Sequence, residues 1–212
     1  MACQNNLQSG QTLFQRLPHR LTEKQRSIFT PNLFLSPSVQ EYNPYINGLG
    51  SEEYYMNLVA DAMEPYLISC GISFTRNDPD DTLQQAIALS NAGNYDFHLA
   101  LHSNAAPPAL AGQLQGCDIY YYATSTQGAR AAKIFAENLK VIYPDPAKVR
   151  TVANTTLGEL RLVKAPSNLI ELAYHDNAED AFWIIDNIQL IARTLVLALT
   201  EYFGIPFVEP SI

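Results

Sequence analysis

The sequence predicts one α/β domain, a mostly parallel six-stranded sheet with helices on both faces. Three observations predict it. Short apolar runs alternate with longer amphipathic runs from residue 31 to residue 208, the pattern of repeated strand and helix units. The run at 168–174, Asn-Leu-Ile-Glu-Leu-Ala-Tyr, is almost continuously apolar, as a strand covered on both faces requires. With 212 residues, 47% hydrophobic and 16% charged, the chain suits a single domain with a sizeable core.

Taken in order, residues 1–30 form an arm or short helix, with Leu13, Phe14, Leu17 and Leu21 at roughly helical spacing. A strand at 32–35 stops at Ser36-Pro37-Ser38, and 39–50 is a loop rich in Asn, Pro, Tyr and Gly. Ser51 then caps a helix running to about residue 69, with Glu52 and Glu53 in its first turn and Gly71 beyond its end. A strand at 72–75, a turn and a helix at 82–92 lead to Gly93 and the central strand, 96–102. There Phe97, Leu99 and Leu101 alternate with His98, Ala100 and His102, and the Pro107-Pro108 pair stops the ladder soon after. A strand at 118–123 and an amphipathic helix at 126–143 follow, ended by Pro144-Asp145-Pro146. Residues 149–164 hold one or two strands, with 161–163 as the surest piece, and a single helix from 178 to 203 closes the domain.

Composition narrows the function. A formal net charge of -8 with 13 Lys+Arg gives little electrostatic grip on nucleic acid or anionic lipid. Cys3, Cys70 and Cys117 are odd in number and contain no C-x-x-C pair, so any metal rests on His, Glu, Asp or amide oxygen. No charged start runs into an apolar stretch, so no signal peptide is visible. Residues 184–199 are interrupted by Asp186, Asn187, Gln189 and Arg193 and read as a packed helix, which argues against membrane insertion.

Three residues break local rules. Glu171 puts a carboxylate inside an apolar strand, where it needs a cation, a set of hydrogen bonds or a proton. His102 ends the central strand, and Glu53 opens the helix after the first strand's loop. In a parallel sheet all three share one edge, the edge where ligands bind. One His and one Glu with a further donor would suit zinc, and a carboxylate outside the ligand set would serve as general base. His98 lies deeper on the same strand face and reads as a core residue or a support for the site; Glu159 reads as a solvent or edge carboxylate.

These pieces resemble the zinc-dependent N-acetylmuramoyl-L-alanine amidases of the Amidase_3 type. The resemblance runs from about residue 33 to residue 203. It is carried by Glu53-Tyr54-Tyr55-Met56-Asn57-Leu58, by Leu101-His102-Ser103-Asn104-Ala105, and by Leu169-Ile170-Glu171-Leu172-Ala173-Tyr174 leading to Asn177-Ala178-Glu179-Asp180. It implies Zn2+ as cofactor, Glu53 and His102 as metal ligands and Glu171 as the catalytic glutamate. It also implies peptidoglycan or a muropeptide as partner, and a place outside the cell or in its wall. The family's first strand runs into Asp-Pro-Gly-His-Gly-Gly, whose histidine is a third zinc ligand; here the place reads Ser36-Pro37-Ser38-Val39-Gln40. Three readings stay open: Gln40 or His175 completes the metal site, the metal is held by two ligands, or the fold is kept for peptidoglycan binding without catalysis. A serine hydrolase is disfavoured because no G-x-S-x-G occurs.

Overall fold

The computed structural model describes residues 30–211, so the arm expected over residues 1–30 lies outside the described residues, apart from its last residue. Six strands form one sheet in the order β2-β1-β3-β6-β4-β5. They are β1 (Asn32–Pro37), β2 (Ser73–Arg76), β3 (Phe97–Asn104), β4 (Asp118–Tyr122), β5 (Arg150–Asn154) and β6 (Ser167–Tyr174). All neighbours are parallel except β4 and β6, which are antiparallel, so β4 and β5 run against the other four strands. The starts of β4 and β5 therefore lie at the edge where β1, β3 and β6 end.

The helices are α1 (Glu52–Ser69), α2 (Leu83–Ala92), α3 (Thr126–Ile142), α4 (Gly158–Arg161), α5 (Ala178–Asp186) and α6 (Ile188–Phe203). Alternation along each strand sorts the sheet's faces. Leu33, Leu35, Phe97, Leu99, Leu101, Ile119 and Ile170 face α1, α3 and α6 in the main apolar core. Ala100 and Leu169, with Tyr120 and Tyr122, face α4 in a small second cluster around Leu160. His98 joins them on that side, where it stacks on Phe34 and meets Ser90 of α2.

Two elements differ from the sequence reading. Residues 161–163 do not form a strand: Asn154 Oδ1 accepts the Thr156 and Leu157 backbone N–H groups, and the chain turns into α4. Leu160 is buried there, while Leu162, in the piece read as a strand, points outward at 47% exposure. The closing helix is broken into α5 and α6, bent by 77°. Asn187 carries non-helical φ -121 and ψ 19, and its Nδ2 donates to the Trp183 carbonyl. Among the described residues no single helix is long and apolar enough to cross a membrane.

Candidate active site

β3 continues two residues past His102, which sets His102 directly beside Glu171 of β6 in the parallel register. Both side chains leave the sheet on the α2/α4 side and line a cavity of about 520 Å³. Its wall also includes Ser36 of β1, Ser38, Val39, Gln40 and Tyr42 after it, Leu83 and Ala86 of α2, and Leu157, Gly158 and Glu159 at α4.

His102 is held on both ring nitrogens. Nδ1–H donates to Glu52 Oε1 at 2.7 Å and Nε2–H donates to Glu159 Oε2 at 3.2 Å. Carboxylates accept only, so this pairing describes an imidazolium between two anions. Burial works against that charge, and the Glu159 and Glu52 hydrogen bonds outweigh it, holding the imidazole's proton well above the usual range. Burial raises the two carboxylates as well; bonds to His102, joined by His98 at Glu159 and Asn43 at Glu52, pull both below their ordinary value. Glu159 ties further groups in: its Oε1 accepts from Ser36 Oγ and from His98 Nε2, and His98 Nδ1 pairs with Ser90 Oγ at 2.9 Å.

Glu171 is the contrast. Its Oε2 is enclosed with no hydrogen-bond partner among the described residues. Burial lifts it from 4.5 to about 7; His102 opposes the rise, while Glu52 and Asp118 add to it. A carboxylate with a free oxygen, titrating near neutrality at the wall of a cavity, is equipped to take and return a proton.

The structure redistributes the other expected roles. Glu53 does not reach His102. Consecutive residues point about 100° apart on a helix, and Glu53 turns outward to accept Asn57 Nδ2 at 3.1 Å while Glu52 is buried in the site. A sequence signal for this exists: Glu52 lies three and four residues before the core residues Tyr55 and Met56, on the buried stripe of α1. His175 also stays away from His102. It stacks on Tyr45 at 5.2 Å, and its Nδ1–H donates to the Ser103 carbonyl at 2.8 Å, fastening the 38–50 loop beneath the end of β6. Glu159 is buried at the centre of the network, and no local pattern marks it because only the packing of α4 against β6 brings it there.

Gln40 reaches the site with its amide nitrogen inward: Nε2 donates to Glu52 Oε1 at 3.3 Å and lies 3.2 Å from His102 Nδ1. Its neighbours set that orientation, since Asn43 Nδ2 and Tyr42 OH both donate to Gln40 Oε1.

A comparison with known protein families decides the family. The family model for N-acetylmuramoyl-L-alanine amidases matches residues 42–201. The chain belongs to that family. The match begins just past the 36–40 segment. Among solved structures, the N-acetylmuramoyl-L-alanine amidase AmiC2 of Nostoc punctiforme superposes with a TM-score of 0.71 at 17% identity, covering 83% of this chain and 98% of its own. The N-acetylmuramoyl-L-alanine amidase from Clostridium difficile 630 gives 0.71 at 18% identity, covering 82% of this chain and 97% of its own. Ami1 from Mycobacterium smegmatis gives 0.69 at 15%, covering 82% and 97%. These likenesses establish the fold. No curated protein matches the chain.

The family resemblance implies zinc, and the donor set can be tested against it. A three-ligand zinc site needs three converging donors and an open position. Glu52 and His102 supply two; Val39 has no donor, Gln40 turns an N–H inward, and among the described residues no three His, Cys, Asp or Glu side chains converge on a common point. Two ligands at about 2.0–2.1 Å from one tetrahedral zinc stand roughly 3.3 Å apart. The 2.7 Å between His102 Nδ1 and Glu52 Oε1 is a hydrogen-bond distance instead. As arranged, the residues do not fit that zinc site.

Proposed function

We propose that this chain is a cell-wall amidase that hydrolyses the amide between N-acetylmuramic acid and L-alanine in peptidoglycan, with Glu171 as general base. The unpartnered oxygen of Glu171, beside His102 on the cavity wall, carries this reading. Glu171 takes a proton from the attacking water and passes it to the departing amine of the alanine. Among the described residues His102 is the one cation on the cavity wall, and its charge favours the ionised base and the negative charge that develops on the scissile carbonyl oxygen. Glu52 and Glu159 fix the plane of its ring, so the charge is in place before substrate arrives.

Zinc is the part of the family chemistry that this donor set supports least. Glu52 and His102 would offer two of the three expected ligands, and binding a metal there would require Nδ1 to give up its proton and its bond to Glu52. The same reading puts the expected site of action outside the cell or in its wall.

Purified peptidoglycan incubated with the protein is expected to expose new α-amino groups of L-alanine. Glu171→Gln should lower that rate by about 10²–10⁴-fold while leaving sedimentation with peptidoglycan intact. Val39 in place of the family histidine favours a second reading, a binding module on the same fold. Sedimentation with the wall but no amine release by the unmodified chain, with or without added zinc, would establish that second reading and end the first.

A further inference from the structure

The row that begins at His102 and Glu171 does not stop there. Asp118, the first residue of β4, lies opposite Glu171, and Arg150, the first residue of β5, lies opposite Asp118. Because directly paired residues point to the same face, His102, Glu171, Asp118 and Arg150 form one line across four strands. Arg150 grips the buried Asp118 through Nε and Nη2, and its Nη1 has no partner among the described residues. Past it lies a depression of about 400 Å³ lined by Gln113, Gln115, Lys148, Arg150 and Tyr174.

That depression is held in place. Gly116, at φ +113, presses against the Lys148 backbone so closely that a Cβ would sit 2.3 Å from the Lys148 carbonyl oxygen. The Gly112 and Gly116 N–H groups donate to Asp176 and Asp180, and Lys148 Nζ donates to Gln115 at 2.6 Å. Charge gives it a purpose. Around His102 stand three carboxylates, Glu52, Glu159 and Glu171, so an anionic group on a substrate is repelled there. At the other end are two cations, Arg150 with Nη1 left over from its pair with Asp118, and Lys148, 3.7 Å from Asp145, and such a group can rest there.

Resting on the amidase reading, we infer that Arg150 and Lys148 form a subsite for a free carboxylate of the peptide stem, two to three residues beyond the scissile amide. Arg150 is two strands from Glu171, about 10 Å at the usual strand spacing, and an extended peptide covers that in about three residues. The same geometry orients the substrate. The muramoyl side occupies the cavity bounded by α2 and α4, and the stem runs along the row past Asp118 towards Arg150 and the depression that Tyr174 lines.

The test uses pairs of soluble muropeptides that differ only in whether the stem carboxylates are free or amidated. Equilibrium binding and hydrolysis are both measured. The unmodified chain should bind the free-carboxylate form about tenfold more tightly, the preference expected of one charge-assisted contact. Lys148→Gln and Arg150→Lys should each shrink that preference by raising KM for the free form with little change in kcat, and Arg150→Gln should remove it. Arg150→Gln leaves Asp118 buried without its partner, so its fold is checked by thermal melting; Lys148→Gln and Arg150→Lys keep the test valid if it fails to fold. Equal affinity for the two forms, or variants that weaken both equally, would overturn the subsite. Binding with the expected preference but no hydrolysis would overturn the amidase reading and leave the subsite standing. Hydrolysis blind to the carboxylates would do the reverse.

Discussion

The two faces of the sheet deal with burial in opposite ways. On the side of α1, α3 and α6, Leu33, Leu35, Phe97, Leu99, Leu101 and Ile170 meet three long helices, and dispersion and the hydrophobic effect hold that side together. On the other side two short helices, α2 and α4, cover less of the sheet. What they enclose is polar: Ser36, His98, His102 and Glu159 are all buried there. The first face is a scaffold; the second exchanges apolar packing for a network whose members satisfy one another, with one carboxylate left out. That exception, Glu171, is where chemistry is available.

Substitution on each side would sharpen the contrast. Glu159→Ala removes a carboxylate shared by His98, His102 and Ser36 and is expected to destabilise by about 3–5 kcal/mol, with much of the loss being the buried imidazolium left half-paired. Leu99→Ala on the apolar face is expected to cost about 2–5 kcal/mol through lost burial and a residual cavity. Chemical denaturation measures both. The faces differ in salt and pH dependence: the Glu159→Ala loss should vary with pH, and the Leu99→Ala loss should not. Equal pH profiles would remove the distinction drawn here.

Glu171 should behave as the inverse of its satisfied neighbours. Its proton is held from 4.5 up to about 7 in the folded chain, so between those values the folded state binds more protons than the unfolded state. The group's contribution is therefore greatest below the lower value, and stability is lost as pH rises through about 7. Glu171→Gln should leave stability little changed at pH 4 and raise it by about 1–3 kcal/mol at pH 8, visible as a higher Tm. A Tm gain already full at pH 4, or absent at pH 8, would contradict the assignment. In the unmodified chain the rate of amine release should climb with pH through about 7, because the base acts in its ionised form.

Two smaller effects probe the site's margins. Val39→His puts an imidazole on the cavity wall that His102 also lines, and is expected to raise zinc affinity by about tenfold or more, read by competition with a chelating dye. No gain would mean that the Glu52–His102–Glu159 clamp, rather than a missing donor, sets the metal preference. Ala173 has φ 123, a left-handed-side conformation unusual for a residue with a Cβ, where the β3/β6 register shifts past His102 and Glu171. Ala173→Gly should relieve strain and stabilise by about 1 kcal/mol, net of the glycine's extra chain entropy.

Much of this was legible from residue order alone. The alternation of strands and helices, the carboxylate inside β6 and the histidine near the end of β3 are local facts with local physical causes, so they could be read without coordinates. The choice between Glu52 and Glu53 was also within reach, because the stripe of Tyr55, Met56 and Val59 already pointed to Glu52. Glu159 was not: it sits in a four-residue helix whose neighbours suggested a strand, and its value comes from lying over two other strands.

By itself the sequence determined the sheet, its apolar face and the presence of an anomalous acid on a buried strand, since periodicity and burial are written into consecutive residues. Only the tertiary structure decided which groups meet that acid. Reversal of β4 and β5 carries Asp118 and Arg150 to the edge where β3 and β6 end, and α4 brings Glu159 under His102. Those contacts join residues tens of positions apart, and hydrogen bonding and charge act through distance in space rather than along the chain.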